Sequence, residues 1–250
     1  MNQILVTKKL YITPEIKRKK KIYKFDFFLS VFLVCILISL CIYAEYDRSK
    51  SEETSQEILA KFNTEIPEDT TIAKNNVLIV VLNEEEQIEE NTQQEEQPQE
   101  VVAKKNIQTT NEGYRYTTIA TINIPKINVN YPIIDGETDS IEETEALLKI
   151  SPTKFWGAEP NEVGNFCIVG HNYRNTRFFS KVPTLESGDI VEITDLLGRK
   201  IQYKVYNKYQ VEPTDVSCTT QLTNGRKEIT LITCTDDSQH RVVVKAREVK

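Results

Sequence analysis

The stretch FFLSVFLVCILISLCIYA, residues 27–44, runs for eighteen residues without one charge. As a helix it rises about 27 Å, near the lower limit for crossing a hydrocarbon core of about 30 Å. Its apolar residues surround the helix instead of forming one stripe, which fits a buried core helix poorly. A cleaved leader has a shorter apolar core and ends in a small-x-small site, whereas this segment ends in CIYAEYD, so it reads as an uncleaved anchor. Lys17, Arg18, Lys19, Lys20, Lys21 and Lys24 precede it, and Glu45 and Asp47 follow. That asymmetry predicts a single-pass protein of the cell membrane, with the N-terminus cytoplasmic and the remainder outside.

Charge divides the chain further. Residues 1–44 hold eight Lys/Arg against two acids, residues 45–112 hold six against seventeen, and residues 113–250 hold seventeen against eighteen. The net charge of −6 therefore comes from the middle segment and not from a folded domain, and nucleic acid is excluded as an expected partner. The organisation read from this is a basic cytoplasmic segment at 1–24, an anchor at 25–44, an acidic stalk at 45–112 and a folded domain at 113–250. Rich in Glu, Gln, Asn and Thr, the stalk has too little apolar surface to offset chain entropy and is expected to be mostly disordered. One strand-forming run inside it, VLIVVL at 77–82, is expected to dock on the folded domain as an extra strand, its flanking glutamates guarding against aggregation.

From Tyr114 onward, short β-type runs alternate with turn residues: YTTIATINI, INVNYPII, GNFCIVGH, DIVEITDL, RKIQYKVYNKYQV, EITLITC and RVVVKA. Such spacing predicts a mainly β barrel or sandwich, with one short helix at 142–149 and a turn in FFSKVP. Of five cysteines, Cys35 and Cys41 lie in the anchor, and Cys167, Cys218 and Cys234 outside it. No CxxC pair or Cys/His spacing points to zinc, and no cofactor is expected. An odd count outside leaves at least one free thiol to explain; Cys167 and Cys218 are expected as buried thiols rather than a disulfide.

The last two strands form a hairpin around TDDSQH. With Cys234 opposite Arg241, Ile232 meets Val243 and Thr230 meets Lys245 on one face, while Leu231 meets Val244 and Ile229 meets Ala246 on the other. The second face is wholly apolar and must be core; a one-residue slip would bury Arg241, so the hydrophobic pattern fixes the register. In GNFCIVGHNYRN, Gly170 interrupts an apolar run and delivers His171 at a strand end. The other histidine, His240, sits in the hairpin loop and points off the opposite face, which favours His171 as the functional imidazole.

TLITC followed by HRVVVKA, with GNFCIVGHNYR upstream, resembles the sortase family of bacterial surface cysteine transpeptidases. INIPKINVNYPII and FFSKVPTLESGDIVEI are similar to its first strand pair and to the segment after its histidine. The resemblance runs from about Thr118 to Val249. It implies an eight-stranded sortase-type β-barrel with a few short helices, and it implies three catalytic residues. Cys234 would be the nucleophile, His171 the general acid and base, and Arg241 the residue that steadies the substrate carbonyl or its oxyanion. The implied reaction cleaves a sorting signal of the Leu-Pro-x-Thr-Gly type after threonine through a thioester, which an amine resolves. Implied partners are sorting-signal-bearing surface proteins, the peptidoglycan precursor or another amine, and the cytoplasmic membrane. Some members bind calcium, but the scattered acids here assign no such site. The short segment from Tyr206 to Glu228 disfavours the subgroup with a long helix there. The lack of an Asp-Pro-aromatic lid, and of a second span after Lys250, disfavours the pilus-assembling one.

The chemistry is consistent with these roles on its own terms. A thiol of pKa about 8.5 is only a few per cent thiolate at neutral pH and needs a base or a neighbouring cation. Arginine supplies a charge that is not lost by deprotonation, and an imidazole can return a proton to a departing amine. Two rivals make other predictions. A cysteine peptidase of another fold would carry its cysteine on a helix with a third residue orienting the histidine; a non-catalytic wall-binding β-module would be free to lose any of the three residues.

Overall fold

The computed structural model describes residues 14–65, 106–138 and 140–249. Two compact units are distinguished, 1–50 and 51–250.

The first unit belongs to helix α1 (Pro14–Glu65). Within this helix lies a candidate membrane span, whose most apolar 18-residue window has a mean hydropathy of 2.7 and no part buried against protein. Phe28, Phe32, Leu37 and Ile42 all expose their side chains, as expected of a surface that needs lipid and not water around it.

The second unit is built on nine strands: β1 (Ile107–Thr109), β2 (Arg115–Ile124), β3 (Val129–Gly136), β4 (Thr153–Gly157), β5 (Gly164–Val169), β6 (Ile190–Asp195), β7 (Lys200–Val211), β8 (Lys227–Cys234) and β9 (Arg241–Glu248). Their order is β1-β2-β3-β4-β5-β8-β9-β7-β6, and β6 pairs back onto β2. That last pairing closes β2 to β9 into the eight-stranded barrel anticipated above, and closure removes the exposed edges an open sheet would carry. The short β1 pairs only with the start of β2, outside the closed ring. The interior is filled by alternate residues from every side: Ile122, Tyr131, Phe166, Ile168, Val191, Ile193, Leu231 and Val244 among them.

Helix α2 (Ile141–Leu148) connects β3 to β4. Ser140 caps it by accepting a hydrogen bond from the Glu143 amide at 3.1 Å. The buried Glu143 carboxylate reaches back to accept from the amides of Glu137 and Thr138 at 3.1 and 2.8 Å, which ties the turn before the N-cap to the first turn of the helix. This agrees with the helix read from the sequence to within a residue at each end.

The stretch read as stalk differs from that reading at both ends. Helix α1 continues to Glu65, and β1 lies at 107–109. In the second unit, Ser55, Ile58, Leu59 and Phe62 are buried. Their spacing of i, i+3, i+4 and i+7 is a helical stripe, a signal masked by the acidic residues around it. Ile58 joins Tyr116, Ile134 and Leu147 in a small apolar cluster, and Ser55 shares a 3.0 Å hydrogen bond with Ser151. The run at 77–82 lies outside the described residues.

Candidate active site

The β8–β9 hairpin has the register that its hydrophobic pattern demands. Cys234 stands opposite Arg241, Ile232 opposite Val243, Thr230 opposite Lys245, Leu231 opposite Val244 and Ile229 opposite Ala246. Ile229, Leu231, Val242, Val244 and Ala246 enter the barrel core. On the outer face, Ile232 and Val243 form a separate cluster with Cys218. Burying each of these core side chains contributes about 1.5–3 kcal/mol, which is what a slipped register would forfeit.

Strand β5 runs parallel to β8, with Val169 in register with Ile232. The strand pairing ends at that residue pair, and three direct bonds tie the residues that follow to β8. The Gly170 amide donates to the Ile232 carbonyl at 3.1 Å, and the Thr233 hydroxyl donates to the Gly170 carbonyl at 2.8 Å. Asn172 Nδ2 donates to the carbonyl of Cys234 itself at 2.9 Å. The residues on either side of the histidine are thus tied to the strand that bears the cysteine. Half-buried Cys234 and Arg241 face each other in one row across β8 and β9, and half-buried His171 follows two residues after the end of β5, the neighbour of β8 on its other side.

Gly170 is required by a close approach. A β-carbon there would fall 2.6 Å from the ring of Phe179, which is fully buried. The strand-end glycine noted in the sequence therefore lets the backbone press against a core aromatic before the imidazole emerges.

Burial holds the His171 imidazole below its ordinary pKa of 6.5; the Glu145 carboxylate opposes this and the Lys149 ammonium adds to it. The ring lies 5.2 Å from that of Tyr173. Cys234 is a free thiol, as are Cys167 and Cys218, which are buried. Desolvation pushes the Cys167 thiol up to about 12, so it stays protonated and chemically quiet. His240, the residue before Arg241, has its Nε2 3.3 Å from a Glu212 carboxylate oxygen.

A cavity of about 320 Å³ adjoins the row. Arg241 lines it, together with Ile232, Val169 and Val211 from the barrel, Thr144, Glu145 and Leu148 from α2, and Val216 and Cys218 from the β7–β8 connection. Cys234, which faces Arg241 in the register, and His171 do not line it themselves. The β7–β8 wall is bolted down by a buried polar network. Lys245 Nζ donates to the Cys218 carbonyl at 3.0 Å and to the Thr230 hydroxyl at 2.9 Å. Asn165 Nδ2 donates to the carbonyls of Cys218 and Thr220 at 3.0 and 3.1 Å. Burial holds the Lys245 pKa below the usual lysine range. The lining is mostly apolar, with Thr144, Glu145, Asp215 and Arg241 as its polar members.

The sequence offers the three candidate side chains but not the contacts around them. Asn172 follows His171 directly, yet only the fold reveals that it reaches the Cys234 carbonyl. Lys245 was placed opposite Thr230, while its grip on the groove wall depends on a loop whose path no local pattern encodes.

A model of the sortase domain matches residues 122–249, from the middle of β2 to the end of β9. The chain is similar to a Clostridium perfringens sortase D5 transpeptidase, at 32% identity over 53% of this chain and 79% of that one, with a TM-score of 0.46. It is also similar to sortase C-1 from Actinomyces oris, at 26% identity over 52% and 73% of the two chains with a TM-score of 0.45. Sortase A from Corynebacterium diphtheriae is 29% identical over 53% and 61%, with a TM-score of 0.46. No curated protein matches the sequence. With the domain match spanning just over half of its residues, the chain belongs to the sortase family.

Proposed function

We propose that this sortase is a membrane-anchored cysteine transpeptidase that cleaves an LPxTG-like sorting signal and transfers the acyl group to an amine. The observation that carries the reading is the pairing of Cys234 with Arg241 across β8 and β9, with the residues on either side of His171 tied to β8. The Cys234 thiol gives its proton to His171, and the thiolate attacks the carbonyl carbon of the scissile amide, forming a C–S bond as the carbonyl π electrons move onto oxygen. The oxygen that gains negative charge is met by the Arg241 guanidinium, which carries donors in a planar fork. His171 donates a proton to the departing amine nitrogen as the C–N bond breaks, leaving a thioester on Cys234. An amine of the peptidoglycan precursor or of another surface protein then attacks the thioester. His171 accepts its proton, and the thiolate leaves.

Anchoring through the candidate span, with the barrel outside the cell, would hold enzyme and membrane-bound substrates at one surface and raise their effective concentration. A cysteine peptidase of another fold is disfavoured because Cys234 ends a barrel strand and no helix carries it. A non-catalytic wall-binding module is the remaining rival, and thioester chemistry separates the two. Intact-mass spectrometry after incubation with a library of sorting peptides should reveal an acyl adduct on Cys234. Absence of the adduct with every threonine-containing peptide would refute the transpeptidase. Protease added to intact cells should shave off the barrel; full protection would refute the orientation.

A further inference from the structure

The segment that follows His171 carries a strained residue. Phe178 has φ of +46°, a left-handed conformation that a bulky side chain adopts only where its surroundings impose it. The residue bridges back to Asn172, and the Phe179 amide donates to the His171 carbonyl at 3.1 Å, so this conformation closes the loop that presents the imidazole. The rings of Tyr131, Phe178, Tyr173 and His171 form a continuous path, with centroid separations of 5.0, 5.5 and 5.2 Å.

One carboxylate grips both sides of the strained residue. Glu52, in the last turns of α1, lies 2.6 Å from Nε of Arg177, the residue before Phe178. It also accepts a hydrogen bond at 3.2 Å from the hydroxyl of Tyr131, whose ring packs on Phe178. Arg177 and Glu52 are both largely shielded, with side-chain exposures of 18% and 35%, so the pair is stronger than a fully solvated one. The same turns of α1 are seated on the barrel by Ile58, and by Gln56, which donates to the Asn130 carbonyl at 3.2 Å.

We infer that Glu52 is a positioning residue for His171, holding the 171–180 segment in the strained conformation that keeps the imidazole beside Cys234. The inference rests on the reading of His171 as general acid and base. It assigns to the polar turns after the candidate span a role in setting the site's geometry. The charged groups that act on His171 are Glu145 on α2 and Lys149 at its C-terminal cap. Neither is altered by a change at Glu52.

The chain's two histidines make the test direct. The full-length protein in detergent micelles, labelled at histidine, is titrated by NMR, with His240 as the internal reference. In Glu52→Gln and in Arg177→Gln, the His171 midpoint should rise toward 6.5 as the loosened loop admits water, with His240 unmoved. Peptide transfer should fall about tenfold in kcat with little change in KM. The double variant should be no worse than either single one, and Glu52→Asp should recover part of the loss. Tyr203→Phe, which removes a buried 3.1 Å hydrogen bond to Asn161 far from the loop, should lower the melting temperature without moving His171. The inference is overturned if both Gln variants keep the His171 midpoint of the starting protein, or if Tyr203→Phe moves it equally. A protein that forms no Cys234 thioester refutes the transpeptidase reading instead, and the NMR midpoints then judge the Glu52 contact by themselves.

Discussion

Arg241 and Arg247 stand on the same face of one β-ribbon, the first opposite Cys234 and the second opposite Glu228. Each lines a cavity, of about 320 Å³ and about 370 Å³ respectively. Their surroundings differ in kind. Arg247 Nε donates to the buried Glu228 carboxylate at 2.8 Å, and its guanidinium lies 3.9 Å from the centre of the Tyr206 ring, whose hydroxyl also donates to Glu228. Arg241 donates only to the neighbouring His240 carbonyl, at 3.4 Å, and meets no carboxylate among the described residues. At one end the fold satisfies its guanidinium; at the other it leaves most of the donors pointing at a groove. An arginine whose donors are already committed holds a structure together, while one left open is available to a ligand's oxygen.

The largest expected effect lies in the residue opposite each arginine. Cys234→Ala should abolish the acyl adduct and all peptide transfer, whereas Glu228→Gln should leave transfer within about twofold, as for a change outside the reacting groups. Turnover by the Cys234 variant would break the contrast outright. Next comes the arginine pair: Arg241→Lys should cost about 100-fold in kcat/KM, since an ammonium lacks the planar fork and such oxyanion contacts contribute about 3 kcal/mol. Arg247→Lys, measured in parallel, should leave kcat/KM nearly unchanged. The converse test is stability. Arg247→Ala should lower the unfolding free energy by about 1 kcal/mol, from a partly exposed ion pair and a cation–π contact, and Arg241→Ala by less. Chemical denaturation of the two variants would sharpen or dissolve the difference.

The smallest effect concerns protons. His171 binds its proton less readily in the folded chain than its ordinary 6.5, because it is buried. The unfolded chain therefore takes up that proton first as pH falls. The contribution is present above 6.5 and is lost progressively on acidification toward the lower folded value. His171→Asn should flatten this part of the stability profile, as chemical denaturation at a series of acidic pH values would show.

Much of this contrast is legible in the sequence, because period-two alternation in ITLITC and RVVVKA permits one register only, and that register sets Cys234 against Arg241. The break at Gly170 marks where the histidine leaves its strand for a similar local reason. What stays hidden depends on partners far along the chain. Strand β4 escapes notice because TKFWG exposes Phe155 and Trp156, so its pattern lacks the usual alternation, and it meets β3 through a single residue pair. The last turns of α1 read as stalk because charge dominates their composition, although four buried positions carry a helical stripe. Glu52 gives no signal at all: nothing in SEETSQ announces that one of its acids will meet an arginine 125 positions away.

Gly170 has a consequence for anyone reshaping this enzyme. Position 170 has no room for a β-carbon: an alanine there would meet the Phe179 ring at 2.6 Å, and moving that fully buried ring would cost stability as well as shift the segment that carries His171.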